Sequence, residues 1–137
     1  MRKGSFETGR LGEKLAARYL RKKGYRVLAK NYRTRYGEID IVARDGGVLC
    51  FVEVKTRTSL EFGHGDEFID RHKMRQIAGV AEAFASKHGF EDMSQRFDCV
   101  FVMLKKRKRK GVMGWLRGPE AEIELARDVF TLDDIRR

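Results

Sequence analysis

Two segments of alternating polar and apolar residues flank the triplet Asp45-Gly46-Gly47. Residues 38–43 read Glu-Ile-Asp-Ile-Val-Ala, and residues 48–55 read Val-Leu-Cys-Phe-Val-Glu-Val-Lys. Alternation of this kind is typical of β-strands, and an Asp-Gly-Gly triplet between two such segments predicts a tight turn. The chain is therefore expected to contain an antiparallel hairpin, which limits the fold to one built on a sheet.

Helices and further strands are expected on both sides of this hairpin. Two segments place apolar residues at helical spacing and end at a glycine, namely residues 7–23 and 70–87. Three more segments are strand-like, namely residues 25–32, 96–104 and 120–126, and residues 57–69 are expected to form a loop. The order of helix, three strands, helix and two strands predicts a single α/β domain over residues 1–137, with a mixed sheet flanked by helices.

Side chains alternate between the two faces of a sheet, so the hairpin determines which polar residues share a face. In the first strand, the acidic residues Glu38 and Asp40 should lie on one face. The apolar residues of the same strand should lie on the other, namely Ile39, Ile41 and Ala43. This pattern predicts an acidic patch on one face of the hairpin.

The position of the turn decides which residues of the two strands meet. If Gly46 and Gly47 form a two-residue turn, Asp40 lies opposite Glu53 and Glu38 lies opposite Lys55. A turn one residue earlier would place Asp40 diagonal to Glu53, which is still within reach. Both alternatives bring two carboxylates and a lysine together.

The carboxylates of Asp40 and Glu53 would then lie about 5 Å apart. They would repel each other and raise each other's pKa unless a cation lay between them. Mg²⁺, or Mn²⁺ in its place, suits this arrangement because it takes one or two protein carboxylates together with water and substrate phosphate. Lys55 could orient or deprotonate the attacking water, or stabilise the charge of the transition state. The pattern predicts metal-assisted phosphodiester hydrolysis; the alternative is a surface ladder of cross-strand ion pairs.

The charge of the chain points to phosphate as a partner. The chain carries 30 Lys and Arg against 20 Asp and Glu, a net charge of +10, and the basic excess lies mainly in residues 1–60. Basic surfaces of this kind usually face nucleic acid, although a merely solvated basic surface is the alternative. A hairpin loop at about 105–119 carries the residues Lys105, Lys106, Arg107, Lys108, Arg109 and Lys110. This loop would either contact the DNA backbone or contribute only non-specific attraction.

Three further groups of residues are candidates for nucleic-acid contacts. Arg33 and Arg35 alternate with Tyr32 and Tyr36, a mixture that suits backbone and unstacked-base contacts but also fits ordinary strand propensity. Lys73 and Gln76 lie three residues apart and hence on one side of the second helix, where they would contact phosphate or solvent. Arg57, in the segment after Lys55, is assigned to the same interface.

Several classes of protein are excluded. No segment approaches the ~18–20 apolar residues needed to span a bilayer, so we expect no membrane association and a cytoplasmic location. No Gly-rich nucleotide-binding motif is present. Cys50 and Cys99 are far apart in strand-like segments and are expected to be buried, reduced thiols. His64, His72 and His88 lack metal-ligand spacing and are expected in loops or on the surface.

The motifs together resemble the YraN family of small bacterial proteins. The resemblance is carried by Gly12-Glu13, Asn31 to Asp40, Phe51 to Arg57, Phe62-Gly63, Lys73 and Arg96 to Asp98. This family is regarded as distantly related to archaeal Holliday-junction resolvases within the PD-(D/E)xK nuclease superfamily. Ile39 replaces the proline of the nuclease motif, and His64-Gly65 stand where a proline is expected.

The resemblance implies a restriction-endonuclease-like fold and a role for each matching residue. Asp40 and Glu53 would hold the metal, Lys55 would be the catalytic lysine, and Glu13 would be an additional acidic ligand; Glu13 in helix-surface ion pairs is the alternative. The implied function is a metal-dependent endonuclease acting on DNA, selective for branched, flap or junction structures, and a homodimer would be the economical way to cut two phosphates symmetrically. The alternative is a non-catalytic nucleic-acid-binding protein that uses the nuclease fold as a scaffold.

Overall fold

The computed structural model describes residues 3–58, 69–105 and 120–136, and the side chains of 7–58, 69–105 and 121–135. The elements follow one another as α1 (Lys3–Lys22), β1 (Arg26–Thr34), β2 (Gly37–Asp45), β3 (Val48–Thr58), α2 (Arg71–His88), β4 (Ser94–Lys105), β5 (Glu120–Phe130) and α3 (Leu132–Arg136). The helices and strands expected from the sequence are present. The short helix α3 was not predicted.

Local signals in the sequence account for the ends of both long helices. Asp70 caps α2 by accepting a 2.8 Å hydrogen bond from the backbone N–H of Lys73. Gly89 ends α2 in the left-handed region, with φ 73°. Gly24 does the same after α1, with φ 95°. The N–H of Tyr25 then donates to the carbonyl of Leu20, so the chain leaves the helix in a fixed direction.

The five strands form one mixed sheet in the order β1-β2-β3-β4-β5. Strands β3 and β4 are parallel, joined by the segment that contains α2, and the other neighbours are antiparallel. The register of β2 and β3 pairs Asp45 with Val48, which confirms the two-residue turn at Gly46 and Gly47. This α/β architecture confirms the predicted fold class and is compatible with a restriction-endonuclease-like fold.

Each long helix covers one face of the sheet. Helix α1 packs Ala16, Ala17 and Leu20 against a cluster that includes Ile41 and Val52. Helix α2 packs a separate cluster on the other side, whose members include Ile77, Val80, Phe84, Phe51 and Phe97. Both cysteines are buried and neither forms a disulfide, as expected. The sheet is therefore covered on both sides at its centre.

The expected alternation along β2 is wrong at one point. Ile39 lies in the cluster beneath α2, whereas Ile41 and Ala43 lie in the cluster beneath α1, so the three do not share a face. The interruption falls at Asp40, next to the last pair of the β2–β3 ladder, Ile41 with Val52. At the same level, Asn31 of β1 has a left-handed φ of 51°, so the regular pleat is interrupted on both sides of β2 and apolar residues two apart enter different cores.

Asp98 is buried inside β4 and holds this part of the sheet together. Arg96 donates three hydrogen bonds to its carboxylate, at 2.9, 3.1 and 3.1 Å, and a further one at 2.7 Å to the hydroxyl of Tyr25. The backbone N–H of Asp128 also donates to Asp98, at the irregularity in the β4–β5 pairing. Asp98 thus fixes strand register: it pairs with Val52, next to the pair of Glu53 with Cys99, and its carboxylate is bound by Arg96.

Some predictions fall outside the described residues. These are the features of the loop at 59–68, including Phe62, Gly63, His64 and Gly65, and the basic residues 106–110 with the remainder of the segment to 119. Lys105 ends β4, where it is exposed and forms an ion pair with Glu122 of β5. Among the described helices, none is long and apolar enough to cross a membrane.

Candidate active site

The predicted carboxylates lie where β2 and β3 separate. The last paired residues are Ile41 and Val52, and beyond them the carboxylate of Asp40 accepts a 2.7 Å hydrogen bond from the N–H of Val54. The side chain of Asp40 therefore replaces a backbone acceptor in the gap between the strands. The next residue on β3, Glu53, is buried with 8% of its surface exposed and shares a hydrogen bond with Asp40.

Burial and mutual repulsion make this pair hard to ionise. Burial, followed by the charge of Asp40, raises the pKa of Glu53 to about 7. Burial likewise raises the pKa of Asp40, and the N–H of Val54 and the charge of Lys73 only partly oppose it. The two carboxylates thus favour sharing a proton, as expected for close acidic groups with no cation between them.

Two lysines face the carboxylates. Lys73, in the first turn of α2, places Nζ 3.8 Å from Oε2 of Glu53. This distance is too long for a hydrogen bond, and the buried Oε2 atom has no hydrogen-bond partner among the side chains and backbone that the structure describes. Lys55 lowers the pKa of both Asp40 and Glu53 by its charge, which places it near the pair as expected.

Glu38 does not face Lys55 as predicted. The β2–β3 ladder has already ended at that level, and Glu38 pairs instead with Arg33 across β1 and β2, at 3.2 Å. The ladder of cross-strand ion pairs considered from the sequence is therefore not formed between β2 and β3.

Helix α1 brings Glu13 close to Asp40. The backbone of the helix touches β3 at Gly12, where an added Cβ would lie 1.8 Å from Oγ1 of Thr56. Burial and the charge of Asp40 raise the pKa of Glu13, whereas a hydrogen bond from Asn31 lowers it. However, the described residues include no group of three His, Cys, Asp or Glu side chains placed to hold one ion. Glu13 thus lies beside the pair without completing a three-ligand cluster.

Asn31 is a site residue that sequence reasoning missed. It stands across from Asp40 in the β1–β2 register, in the left-handed region with φ 51°, and donates to Glu13. Asn is depleted in strands and tolerates this backbone conformation. An asparagine inside a strand-like segment was therefore the signal in the sequence that could have identified Asn31 as a site residue.

The predicted nucleic-acid residues are spread over several surfaces. Gln76 contacts His72 at 3.3 Å and packs beside Gly37, away from the carboxylates. Arg57 donates to the carbonyl of Thr56 on β3. Of the two predicted tyrosines, Tyr32 packs in the core with its ring 5.0 Å from that of Phe84, so ordinary strand packing explains it. Tyr36 and Arg35 lie at the exposed β1–β2 turn.

The contact at Gly12 gives a testable prediction. Gly12→Ala should lower the free energy of unfolding by about 1–3 kcal/mol, because the new methyl group has no space between α1 and Thr56. Gly9→Ala on the same helix is the matched control, since no atom lies within 4 Å of its added Cβ. It should instead raise stability by up to about 1 kcal/mol. Urea denaturation measures both; equal effects would contradict the close contact.

The raised pKa of Glu53 predicts a pH dependence of stability. In the unfolded chain a glutamate ionises near 4.5, whereas Glu53 in the folded protein ionises near about 7. Between these values the unfolded chain binds fewer protons, so the free energy of unfolding should fall as pH rises, by up to about 1.4 kcal/mol per pH unit. Denaturation in chelator across this range, compared with Glu53→Gln, isolates the effect. Identical slopes for the two proteins would contradict the assignment.

Comparisons with known proteins place the chain among similar sequences. A family model described as "Uncharacterised protein family UPF0102" matches residues 12–102. A UPF0102 protein of Caldanaerobacter subterraneus is 44% identical over 100 residues, covering 73% of this chain and 82% of the relative. One of Syntrophus aciditrophicus is 40% identical over 129 residues, 93% of this chain and 91% of the relative. A UPF0102 protein of Chlorobaculum tepidum is 47% identical over 95 residues, which cover 69% of this chain and 74% of the relative.

Proposed function

We propose that this chain, which belongs to the uncharacterised protein family UPF0102, the YraN family, is a divalent-metal-dependent nuclease that hydrolyses DNA phosphodiester bonds. One observation carries the proposal. Within residues 7–58, 69–105 and 121–135, the buried Oε2 atom of Glu53 has no hydrogen-bond donor, although it lies beside a second carboxylate and two lysines. An unsatisfied carboxylate oxygen is costly to bury, and a ligand that it can bind explains why it is kept.

The donor set fits a hard divalent cation. Asp40 and Glu53 offer carboxylate oxygens, and Mg²⁺ needs only one or two such ligands because it keeps waters and binds substrate phosphate. A cation between the carboxylates would also offset the burial that raises both pKa values and the charge of Asp40 that further raises the pKa of Glu53. When bound, such an ion would supply an activated water and a Lewis acid for the phosphate. Mg²⁺ or Mn²⁺ would therefore be held by Asp40 and Glu53.

The neighbouring side chains have separate tasks in this proposal. The N–H of Val54 fixes the orientation of the Asp40 carboxylate. Lys55 stabilises the negative charge that grows on the phosphoryl oxygens, and Lys73 binds the scissile phosphate or its neighbour. Glu13, held by Asn31, accepts a hydrogen bond from water at the edge of the site.

A cleavage assay tests the function directly. Purified protein should cut end-labelled DNA with Mg²⁺ or Mn²⁺, and EDTA should abolish the cut. Linear, flapped and four-way substrates of matched length show whether branched structures are preferred. Salt-sensitive binding without chelator-sensitive cleavage on any substrate would refute the nuclease and favour the non-catalytic DNA-binding scaffold.

The basic run at residues 105–110 should affect binding but not chemistry. Each neutralised phosphate changes the slope of log K against log salt by about −0.9 on duplex DNA. Holding six basic side chains at phosphate spacing costs conformational entropy, so we expect only part of this charge to engage DNA, and a Gly/Ser replacement of equal length should flatten the slope by roughly 2–3.5. Cleavage at saturating DNA should stay within a few-fold. An unchanged slope would assign the DNA contacts to the basic surface of residues 1–60, including Arg33 and Arg35.

A further inference from the structure

The turn between β1 and β2 carries a large aromatic side chain that neither core buries. Tyr36 is 46% exposed, and among the described residues only Leu132 is a comparably exposed large hydrophobic side chain. Tyrosine is enriched at interaction sites because it combines an apolar ring with a polar hydroxyl.

Tyr36 is held in place. Its Cβ and Cγ rest on helix α2, where a Cβ added to Gly79 would lie 3.0 and 3.1 Å from them. Its N–H donates to Oγ1 of Thr34 at 3.0 Å, and the following Gly37 packs beside Gln76 with φ 144°. A ring fixed in this way loses little conformational entropy when it binds a partner.

Arg35 lies over the ring of Tyr36 and also reaches its hydroxyl. It donates a 2.7 Å hydrogen bond to the hydroxyl of Tyr36, and its guanidinium carbon lies 4.9 Å from the ring centroid. Arg33, on the same strand, has 80% of its side chain exposed. A flat ring beside two guanidinium groups presents a stacking surface and positive charge together, which is the combination that single-stranded nucleic acid requires.

We propose that Tyr36 and Arg35 form a stacking platform for one unpaired base of the DNA substrate. The inference rests on the proposed function and deepens it by naming the substrate class, namely DNA with an unpaired base near the cut. A base inside a continuous duplex is already stacked on both sides and cannot use the platform. Flapped, gapped or splayed DNA would therefore bind in preference to duplex.

The position of Tyr36 sets the spacing between the unpaired base and the cut. Asp40 lies four positions after Tyr36 in the chain. An extended strand rises about 3.3 Å per residue, so the two residues are about 13 Å apart along the strand. Successive base pairs are about 3.4 Å apart along the DNA axis. For DNA that runs along β2, the unpaired base should thus lie about four nucleotides from the cleaved phosphate.

Fluorescence of 2-aminopurine tests this platform without requiring cleavage. The probe is placed at the unpaired position of a gapped duplex, and a fully paired duplex of equal length serves as reference, both in EDTA. Wild type and Tyr36→Phe should quench the probe and prefer the gapped DNA, because both keep the ring. Tyr36→Ala and Tyr36→Leu should lose the quenching, and their preference for gapped DNA should fall about tenfold, the usual effect of one stacked base.

Leu132→Ala is the matched control, because it removes an equally exposed apolar side chain from α3. Tyr36→Leu keeps an apolar side chain on α2, so it separates loss of stacking from loss of packing. Quenching that persists in both Tyr36→Ala and Tyr36→Leu, or an equal loss in Leu132→Ala, would overturn the inference. The same holds if wild type binds neither DNA.

The outcomes for the platform and for the nuclease are distinguishable. If wild type quenches the probe through Tyr36 but never cleaves DNA, the platform is supported and the nuclease is refuted. If wild type cleaves with metal but Tyr36→Ala keeps the preference for gapped DNA, the nuclease is supported and the platform is refuted.

Discussion

Asp40→Asn should reduce DNA cleavage by about 10³-fold or more while the protein remains folded. The substitution removes the negative charge that would hold the cation but keeps the size of the side chain. Its amide oxygen can still accept the hydrogen bond from the N–H of Val54. Single-turnover cleavage at saturating DNA measures the rate, and urea denaturation measures the fold.

Glu53→Gln should lose cleavage to a similar extent. Without metal, this variant should be at least as stable as wild type above about pH 7, because burial opposes the charge of Glu53.

Asp45→Asn provides the matched control for Asp40→Asn. Asp45 lies on the same strand, at the hairpin end, where its carboxylate pairs with Arg96 at 3.0 Å. Its replacement should leave cleavage unchanged, even if it lowers stability slightly. Activity of Asp40→Asn within tenfold of wild type would show that this carboxylate holds no metal. An equal loss in Asp45→Asn would assign the effect to the fold rather than to the site.

Lys55→Ala should slow cleavage by about 10²–10³-fold with little change in metal affinity. In the proposed site this lysine stabilises charge in the transition state and is not a ligand of the ion. Its effect should therefore appear in the single-turnover rate at saturating DNA and metal, whereas Mn²⁺ titrations followed by calorimetry should match wild type. Lys87→Ala, on the exposed last turn of α2, is the control for loss of one positive charge. A wild-type rate in Lys55→Ala would limit Lys55 to ion pairing.

The hairpin was predictable because its turn is encoded locally. Two consecutive glycines fix the turn, the turn fixes the register, and the register brings Asp40 next to Glu53. For the same reason, alternate apolar residues of β3 enter the two cores: Cys50 and Val52 pack beneath α1, whereas Leu49 and Phe51 pack beneath α2. The helix caps at Gly24 and Gly89 were equally local and equally readable.

The details of the site were not predictable, because they depend on where regular structure stops. The assignment of alternate residues to opposite faces assumes an unbroken ladder between the strands. In the structure, the side chain of Asp40 replaces the backbone acceptor opposite Val54. The expected position of Glu38 opposite Lys55 is lost for this reason, and Ile39 enters the other core. Helical spacing likewise placed Lys73 and Gln76 on one side of α2, yet only Lys73 reaches the carboxylates.

Long-range contacts determine the other features that the sequence did not predict. The approach of α1 to Thr56 depends on a glycine whose importance appears only when the helix and the strand are brought together. Tyr32 and Tyr36 look alike in the sequence, but one packs against Phe84 and the other rests exposed on Gly79. Which of two similar residues reaches the surface is decided by tertiary packing and not by local propensity.

The order of the strands also restricts how two copies could associate. The sheet ends at β1, which carries Arg26, Lys30 and Arg33, and at β5, which carries Glu120, Glu122 and Glu124. A two-fold axis pairs an edge with itself, so it would oppose like charges along either outer strand. The irregular pairing at Val27–Ala29 of β1 and that on β5 opposite Phe97–Cys99, together with Asn31 of β1 in the left-handed region, make each edge a poorer template for another strand. A symmetric dimer of this protein would therefore join through its helices or loops, and not by continuing the sheet from one subunit into the next.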